Sequence, residues 1–301
     1  VTIKDAVIPV AGLGTRLLPA TRSQPKEMLP IVDKPVVQYV VEELLEAGIE
    51  RVLFVTGRRK RAIEDHFDAD PELERALGVD PPSDPRGGLK VLYTRQRRPA
   101  GLGDALRYAD GFGDGRGVVV ALGDTIIAPA PASGPGPGPG PGPGPGIVAR
   151  LIDAYENLGA SAALAVVEVE DAAVSSYGIV SGTELGDGII EVTDVIEKPD
   201  PGEVTSRLAI AARYVLGPSV FAALRDTRPD ARGEVQLADG LRPLLERGER
   251  IVAVPLVGGE RRHDIGTVEG YCRAFFELAL ADPRVGPELR AQAAALLDGA
   301  R

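Results

Sequence analysis

Two glycines, an arginine and a lysine gather in one loop of this chain. Residues 11–35 read AGLGTRLLPATRSQPKEMLPIVDKP. Gly12 and Gly14 leave backbone N–H groups free to approach an anion closely, and Arg16 and Lys26 add fixed positive charge. The loop follows an apolar run, Ala6 to Val10, that reads as a buried strand. Glycine N–H groups and two cations after a strand make a phosphate cradle. Two familiar cradles do not fit. A dinucleotide fingerprint needs Gly or Ala where Leu17 stands and an acid ending the second strand, whereas Asp33 lies before that strand. A P-loop needs G-x-x-x-x-G-K-S/T, which does not occur. Pro19, Pro25, Pro30 and Pro35 stiffen the loop, as suits a lid folded over a nucleotide.

Two acids belong to the same chemistry. Leu122-Gly123-Asp124 closes an apolar run, and Arg262-His263-Asp264-Ile265-Gly266-Thr267 offers a second carboxylate before a helical pattern. Two carboxylates from distant segments can hold one Mg²⁺, a hard ion that prefers oxygen ligands and triphosphate. Taken singly, Asp124 also reads as a strand-end turn residue and Asp264 as a helix N-cap. His66 and His263 have no partner at zinc spacing, and no spacing argues for a Ser-His-Asp or Cys-His nucleophile.

The elements that must position these groups follow from hydrophobic periodicity. Strands are expected at Asp5–Val10, Arg51–Thr56, Leu89–Thr94 and Val118–Leu122, with helices at Val36–Ala47, Lys60–Phe67 and Gly103–Ala109 between them. That alternation implies βαβ units and an α/β fold: a Rossmann-like mixed, mostly parallel sheet flanked by helices. Ligands on such sheets sit beyond the carboxyl ends of the strands, where the loop at 11–35 and Asp124 belong. The second half is more mixed. Strands are expected at Ser161–Val169, Gly178–Ser181, Ile189–Glu197 and Leu208–Leu216, and helices at Ser219–Leu224 and Val235–Glu246. Val268–Leu280 and Pro287–Leu297 suggest a helical C-terminal tail. Gly134–Gly146 alternates Gly and Pro strictly, so every second residue lacks an N–H and neither a helix nor an inner strand can form. It reads as a linker or insertion leading to a helix near Ile147–Leu158.

Composition excludes several classes. The 301 residues carry a formal net charge of -10, which argues against nonspecific nucleic-acid binding. The single cysteine, Cys272, rules out an intramolecular disulfide framework and reads as a core thiol in a helical pattern. No stretch of about twenty apolar residues appears, so no membrane span is expected. The first residues show no basic region leading into an apolar signal segment, and the cytoplasm is the expected compartment.

The stretch 11–35 as a whole resembles the signature of the sugar-1-phosphate nucleotidyltransferases. PATRSQPKEMLPIVDKP looks most like the branch that uses UTP and glucose 1-phosphate, while thymidylyl and guanylyl relatives usually carry a shorter, differently worded loop. The resemblance spans roughly Lys4 to Phe276 apart from the Gly-Pro tract. It implies a nucleotide-diphospho-sugar transferase fold, with a catalytic domain over 1–266 and a helical tail over 267–301 packed on it. It implies that UTP and glucose 1-phosphate give UDP-glucose and pyrophosphate with Mg²⁺, in a homo-oligomer, dimer or tetramer. It assigns Ala11, Gly12, Gly14, Gln96 and Gly101 to the nucleotide, Gly178, Glu197 and Lys198 to the sugar phosphate, Asp124 and Asp264 to the metal, and Arg16, Lys26 and Lys198 to catalysis.

Gln96 offers both a donor and an acceptor to a uracil imide, and Gly101 a backbone N–H. Read without the family, Gln96 to Ala105 is better taken as a polar turn capping a helix. Asp104 stands where the family word usually has His, and little effect is expected because that side chain should start a helix. Glu-Lys-Pro at Glu197 is by itself a common solvated pair, and gains meaning from Tyr177-Gly178-Ile179-Val180 some twenty residues earlier. Gly123-Asp124-Thr125 departs modestly from the family word, and Asp264-Ile265-Gly266-Thr267 is closer to the thymidylyl and guanylyl relatives. A thymidylyl or other nucleotidyltransferase is therefore the nearest alternative. A nucleotide-sensing protein on the same fold would tend to lose Lys26, Asp124, Asp264 or Lys198.

Overall fold

The structure, a computed structural model, describes residues 3–68, 70, 72, 86–128, 145–257 and 259–299. The Gly-Pro linker expected at 134–146 lies outside the described residues as far as residue 144.

The chain begins with β1 (Asp5–Pro9), whose alternate residues enter two different cores. Ala6 and Ile8 join one apolar cluster and Val7 the other, as a strand covered on both faces requires. After the glycine loop come two-residue strands β2 (Pro30–Ile31) and β3 (Lys34–Pro35), then helix α1 (Val36–Glu46). Val37, Val40, Val41 and Leu44 of α1 recur at helical spacing and are fully buried on the first core. Next are β4 (Arg51–Thr56), α2 (Arg61–Phe67), β5 (Lys90–Arg95), α3 (Leu102–Arg107), β6 (Val118–Ala121) and β7 (Thr125–Ala128). The second half holds α4 (Ile147–Asn157), β8 (Ala162–Glu168), β9 (Gly178–Gly186), β10 (Ile189–Glu197) and β11 (Leu208–Leu216). It continues with α5 (Pro218–Asp226), α6 (Leu237–Glu246), β12 (Ile251–Pro255), β13 (Arg261–Asp264), α7 (Val268–Ala281) and α8 (Gly286–Gly299).

Among the described residues one sheet has nine strands in the order β5-β4-β1-β6-β11-β8-β12-β10-β9. The pairings leave only β10 and β11 running against the rest, so the other seven share one direction. The mixed, mostly parallel sheet flanked by helices is as the alternation predicts. Helices α1 and α4 cover one face, and α3, α5 and α6 the other. β2, β3, β7, β12 and β13 are additional to the sequence expectation. β12 is a buried apolar run, whereas β7 and β13 form a separate two-stranded ribbon.

β11 changes partner partway along. Its Leu208 and Ala209 pair with β9, and Arg213 to Leu216 pair with β6. Between Ile210 and Tyr214 its register against β8 slips, with Ala212 at φ 63°. Such a bulge re-aims side chains. Arg213 there is fully buried and donates to Glu43 of α1 (2.6 Å) and to the Thr125 carbonyl of β7 (2.9 Å). One guanidinium thus ties β11 to α1 and to β7.

The tail starts at Thr267, whose hydroxyl caps α7 by accepting from Gly270 N–H. Ala274 packs with Ile31, Val36, Ile126 and Ile265, and the Tyr271 hydroxyl donates to the Pro30 carbonyl at 2.6 Å. The tail therefore braces the loop that holds Lys26. Cys272 is exposed, which corrects the expectation of a core thiol. Helical spacing turns Ala274 inward and leaves Cys272 outside the apolar stripe.

Candidate active site

Two adjoining cavities open where the parallel strands end. The first, about 420 Å³, is lined by residues that follow β1, β5 and β6, among them Ala11, Gly12, Gly14, Lys26, Gln96 and Asp124. The second, about 700 Å³, is lined by Tyr177, Gly178, Glu197, Lys198, Arg262 and Asp264. Arg16, Gly101, Asp124 and Glu234 line both. Every residue that the sequence assigns to the site therefore borders one cavity or the other.

The shared wall is where charge concentrates. Lys26 donates to Asp124 in a close ion pair, with the two side chains 15% and 20% exposed. Burial alone would raise the Asp124 carboxyl, but the charge and hydrogen bond of Lys26 hold it below the usual range. Burial likewise pulls Lys26 down, while Asp124, Glu27 and Asp264 outweigh it and keep the ammonium above its ordinary value. Behind this pair lies a second, between Glu27 and Lys60 at 2.6 Å, almost wholly buried. There burial dominates, raising Glu27 and lowering Lys60 against their mutual attraction.

Asp264 arrives through the β7–β13 ribbon. Asp264 pairs with Thr125, and Ile265 N–H donates to the Asp124 carbonyl at 3.0 Å. Its Oδ1 accepts from Gly266 N–H at 2.8 Å. Arg16 reaches across from the glycine loop, since a methyl at Gly266 would come within 2.9 Å of both its guanidinium and Asp264 Oδ1. Among the described residues no three His, Cys, Asp or Glu side chains cluster as a protein-only metal cage. Two carboxylates on neighbouring strand ends suit instead a hard cation that takes its remaining oxygens from a polyphosphate.

At the first cavity, Gln96 is buried and anchored by its N–H to the Thr56 carbonyl at 2.9 Å. Gly101 has a reason beyond its N–H. At φ 92° a Cβ there would lie 2.5 Å from the Val235 carbonyl oxygen, so only glycine lets the two backbones close. Asp104 does lie in the first turn of α3, but its carboxylate also accepts from Gln96 Nε2 at 2.6 Å.

On the other side, Gly178 makes room for a neighbour. A Cβ would meet Glu197 Oε2 and Ile210 Cδ1 at 3.1 Å each. Lys198 adopts φ 48°, its N–H donates to the Tyr177 carbonyl at 3.0 Å, and its ammonium lies 3.2 Å from Glu197. Arg262 stacks over the Tyr177 ring at 3.9 Å, is 8% exposed, and lies 3.8 Å from Asp264. Sequence reasoning gave no role to Arg262, Arg273, Glu27 or Lys60. Arg262 stands two residues before Asp264, and Glu27 and Lys60 carried no signal short of their contact. His263 is buried on β13 and pushed toward its neutral form chiefly by that burial, in keeping with a structural place.

A mixed sheet with a glycine loop, two lysines and paired carboxylates at its carboxyl edge defines an α/β enzyme of phosphate-ester chemistry. Known proteins narrow the class. The family described as nucleotidyl transferase matches residues 5–134 and 145–279. A UTP–glucose-1-phosphate uridylyltransferase of Staphylococcus saprophyticus is 40% identical over 294 residues, 95% of this chain and 96% of that protein. One of Bacillus subtilis is 40% identical over 303 residues, 98% of this chain and 95% of its own length. Among solved structures, a UDP-glucose pyrophosphorylase complexed with UDP-glucose superposes with TM-score 0.78 at 36% identity, covering 92% of this chain and 98% of that one. A UTP-bound enzyme of the same kind from Acinetobacter baumannii superposes with TM-score 0.81 at 33% identity, over 97% and 99% of the two chains. The chain belongs to the nucleotidyl transferase family.

Proposed function

We propose that this protein joins glucose 1-phosphate to UTP, releasing pyrophosphate and UDP-glucose. The observation that carries the reading is the placement of Lys26 and Lys198 in separate cavities that share Arg16 and Asp124 as a wall. Two phosphorylated substrates, one in each cavity, would meet at that wall. The relatives named for this reaction support the choice of substrates.

The chemistry suits the residues present. The attacking group is a phosphate oxygen, already ionised near neutral pH because a monoester's second pKa is about 6. The leaving pyrophosphate needs no proton either, so no general base is demanded. What the reaction demands is in-line alignment and neutralisation of crowded negative charge. In this reading Arg16 meets the β- and γ-phosphates, Lys26 the α-phosphate and Lys198 the sugar phosphate. The backbone of Ala11, Gly12 and Gly14 cradles the nucleotide, while Gln96 and Gly101 read the base edge. Gly178 and Glu197 line the sugar, and Glu197 accepts from its hydroxyls. Asp124 and Asp264 would hold Mg²⁺, which supplies further charge neutralisation to the triphosphate. Lys26 then exchanges its contact with Asp124 for one with phosphate.

A pyrophosphate-release assay with UTP, Mg²⁺ and a panel of sugar 1-phosphates tests the reading. Turnover with UTP and glucose 1-phosphate is the expected result, and silence across the panel refutes it. Competition by dTTP and GTP addresses the thymidylyl alternative, since uracil and thymine share an imide edge. We take residues 1–266 as one catalytic domain with 267–301 as a helical tail on it. We take the assembly to be a homo-oligomer, and a monomeric mass in solution refutes that part. We take the compartment to be the cytoplasm; no helix among the described residues is long and apolar enough to cross a membrane.

A further inference from the structure

Among the described residues one partner holds the Gln96 side chain. Its Nε2 donates to Asp104 Oδ2 at 2.6 Å, and Gln96 itself is only 3% exposed. An ionised carboxylate carries no proton and can only accept, so the amide atom that faces it must be the nitrogen. Arg107 lies 3.9 Å from the other Asp104 oxygen, a loose ion pair. Arg107 is pinned by the Leu224 carbonyl at 2.7 Å and by the Thr227 carbonyl. The Gln96 carbonyl oxygen has no protein donor among the described residues, and Gln96 lines the first cavity.

We propose that Asp104 sets base selectivity by locking the Gln96 amide in one of its two orientations, a positioning role that rests on the reading of the first cavity as a nucleotide site. The two orientations differ in what they recognise. A uracil edge offers an N3–H donor beside the O4 acceptor. Cytosine offers the reverse, an N3 acceptor beside an amino donor. Turning the amide through 180° exchanges its acceptor and donor, and so converts a match for one base into a match for the other. Asp104 permits a single arrangement, with nitrogen toward α3 and oxygen away from it. Asparagine at 104 carries both an acceptor and a donor, supports either arrangement and removes the lock. The residue thus acts through Gln96 and touches no substrate.

Binding without turnover separates this role from the reaction itself. UTP and CTP are titrated calorimetrically into the wild-type protein, D104N and D104A, with no sugar phosphate present. Asp104 is 22% exposed, and D104N keeps its shape. Should D104N not fold, D104A, which removes the acceptor outright, answers the same question. The wild type should prefer UTP, and the UTP-to-CTP affinity ratio should fall roughly tenfold in the variants, the worth of about one hydrogen bond. A ratio within about twofold of wild type in the folded variants overturns the proposal, as does a wild type that does not distinguish the two bases. If the wild type prefers UTP but releases no pyrophosphate with any sugar phosphate, the enzymatic reading fails while the lock is still tested by the ratio.

Discussion

Replacing Lys26 by methionine removes one positive charge from beside Asp124 and Glu27 and shortens the side chain by only one heavy atom. Two effects should follow, and the structure lets them be separated. The first is catalytic. Loss of one preorganised cation from a phosphoryl-transfer site costs about 3 kcal/mol in the barrier, roughly a hundredfold in kcat. The second is on stability. Asp124 would keep a mostly buried carboxylate without its partner, a change that costs about 3 kcal/mol when one member of a buried pair is deleted. For 301 residues the unfolding entropy is about 0.6 kcal/mol/K, so Tm should fall by about 5 °C. Adding Asp124→Asn removes the stranded charge. Lys26→Met/Asp124→Asn should therefore recover most of the Tm loss while pyrophosphate release falls further. Initial rates at 25 °C under saturating UTP, beside calorimetric melts, read both effects. A Lys26→Met variant within about threefold of wild-type kcat refutes the assignment of Lys26 to the reacting phosphate.

Lys198→Met should lower turnover by roughly a hundredfold while UTP affinity measured without sugar phosphate stays within about twofold, because Lys198 borders only the second cavity. Lys60→Met strands the buried Glu27 carboxylate and should cost about 3 kcal/mol of stability in urea unfolding, most of it regained in Glu27→Gln/Lys60→Met. Gly101→Ala puts a methyl 2.5 Å from the Val235 oxygen at φ +92°, so both melting temperature and nucleotide affinity should fall. The His66 imidazole is pushed below its ordinary value of 6.5 by burial, so the unfolded chain binds the proton more tightly. Stability is then full above pH 6.5 and lost as pH falls through that value toward the lower folded one. Urea midpoints taken at about pH 7 and pH 5.5 should drop more in the wild type than in His66→Gln; equal drops refute the assignment.

Much of the frame was legible in the residues themselves. β1, β4 and β10 are apolar or alternating runs whose periodicity is local. Helix α1 declares itself by Val37, Val40, Val41 and Leu44 on one face. The glycine loop and Asp124 could be placed at the carboxyl edge because both directly follow such strands. What could not be read is the β7–β13 ribbon. β13 reads Arg-Arg-His-Asp and β7 is only four residues long, and only their pairing brings Asp264 beside Asp124. The same holds for the slip in β11 that turns Arg213 inward, and for Cys272, which a helical pattern placed in the core and the packing of α7 left outside.

The chain's order of residues determined which chemical groups are present and which segments become strand or helix, because backbone preference and hydrophobic spacing act over a few residues. Tertiary structure alone decided who faces whom: Lys26 against Asp124, Lys60 against Glu27, Asp104 against Gln96. Those choices depend on partners remote in sequence and on the low dielectric of a closed core. There the cost of an unpaired charge or amide selects one arrangement from many that the local sequence allows.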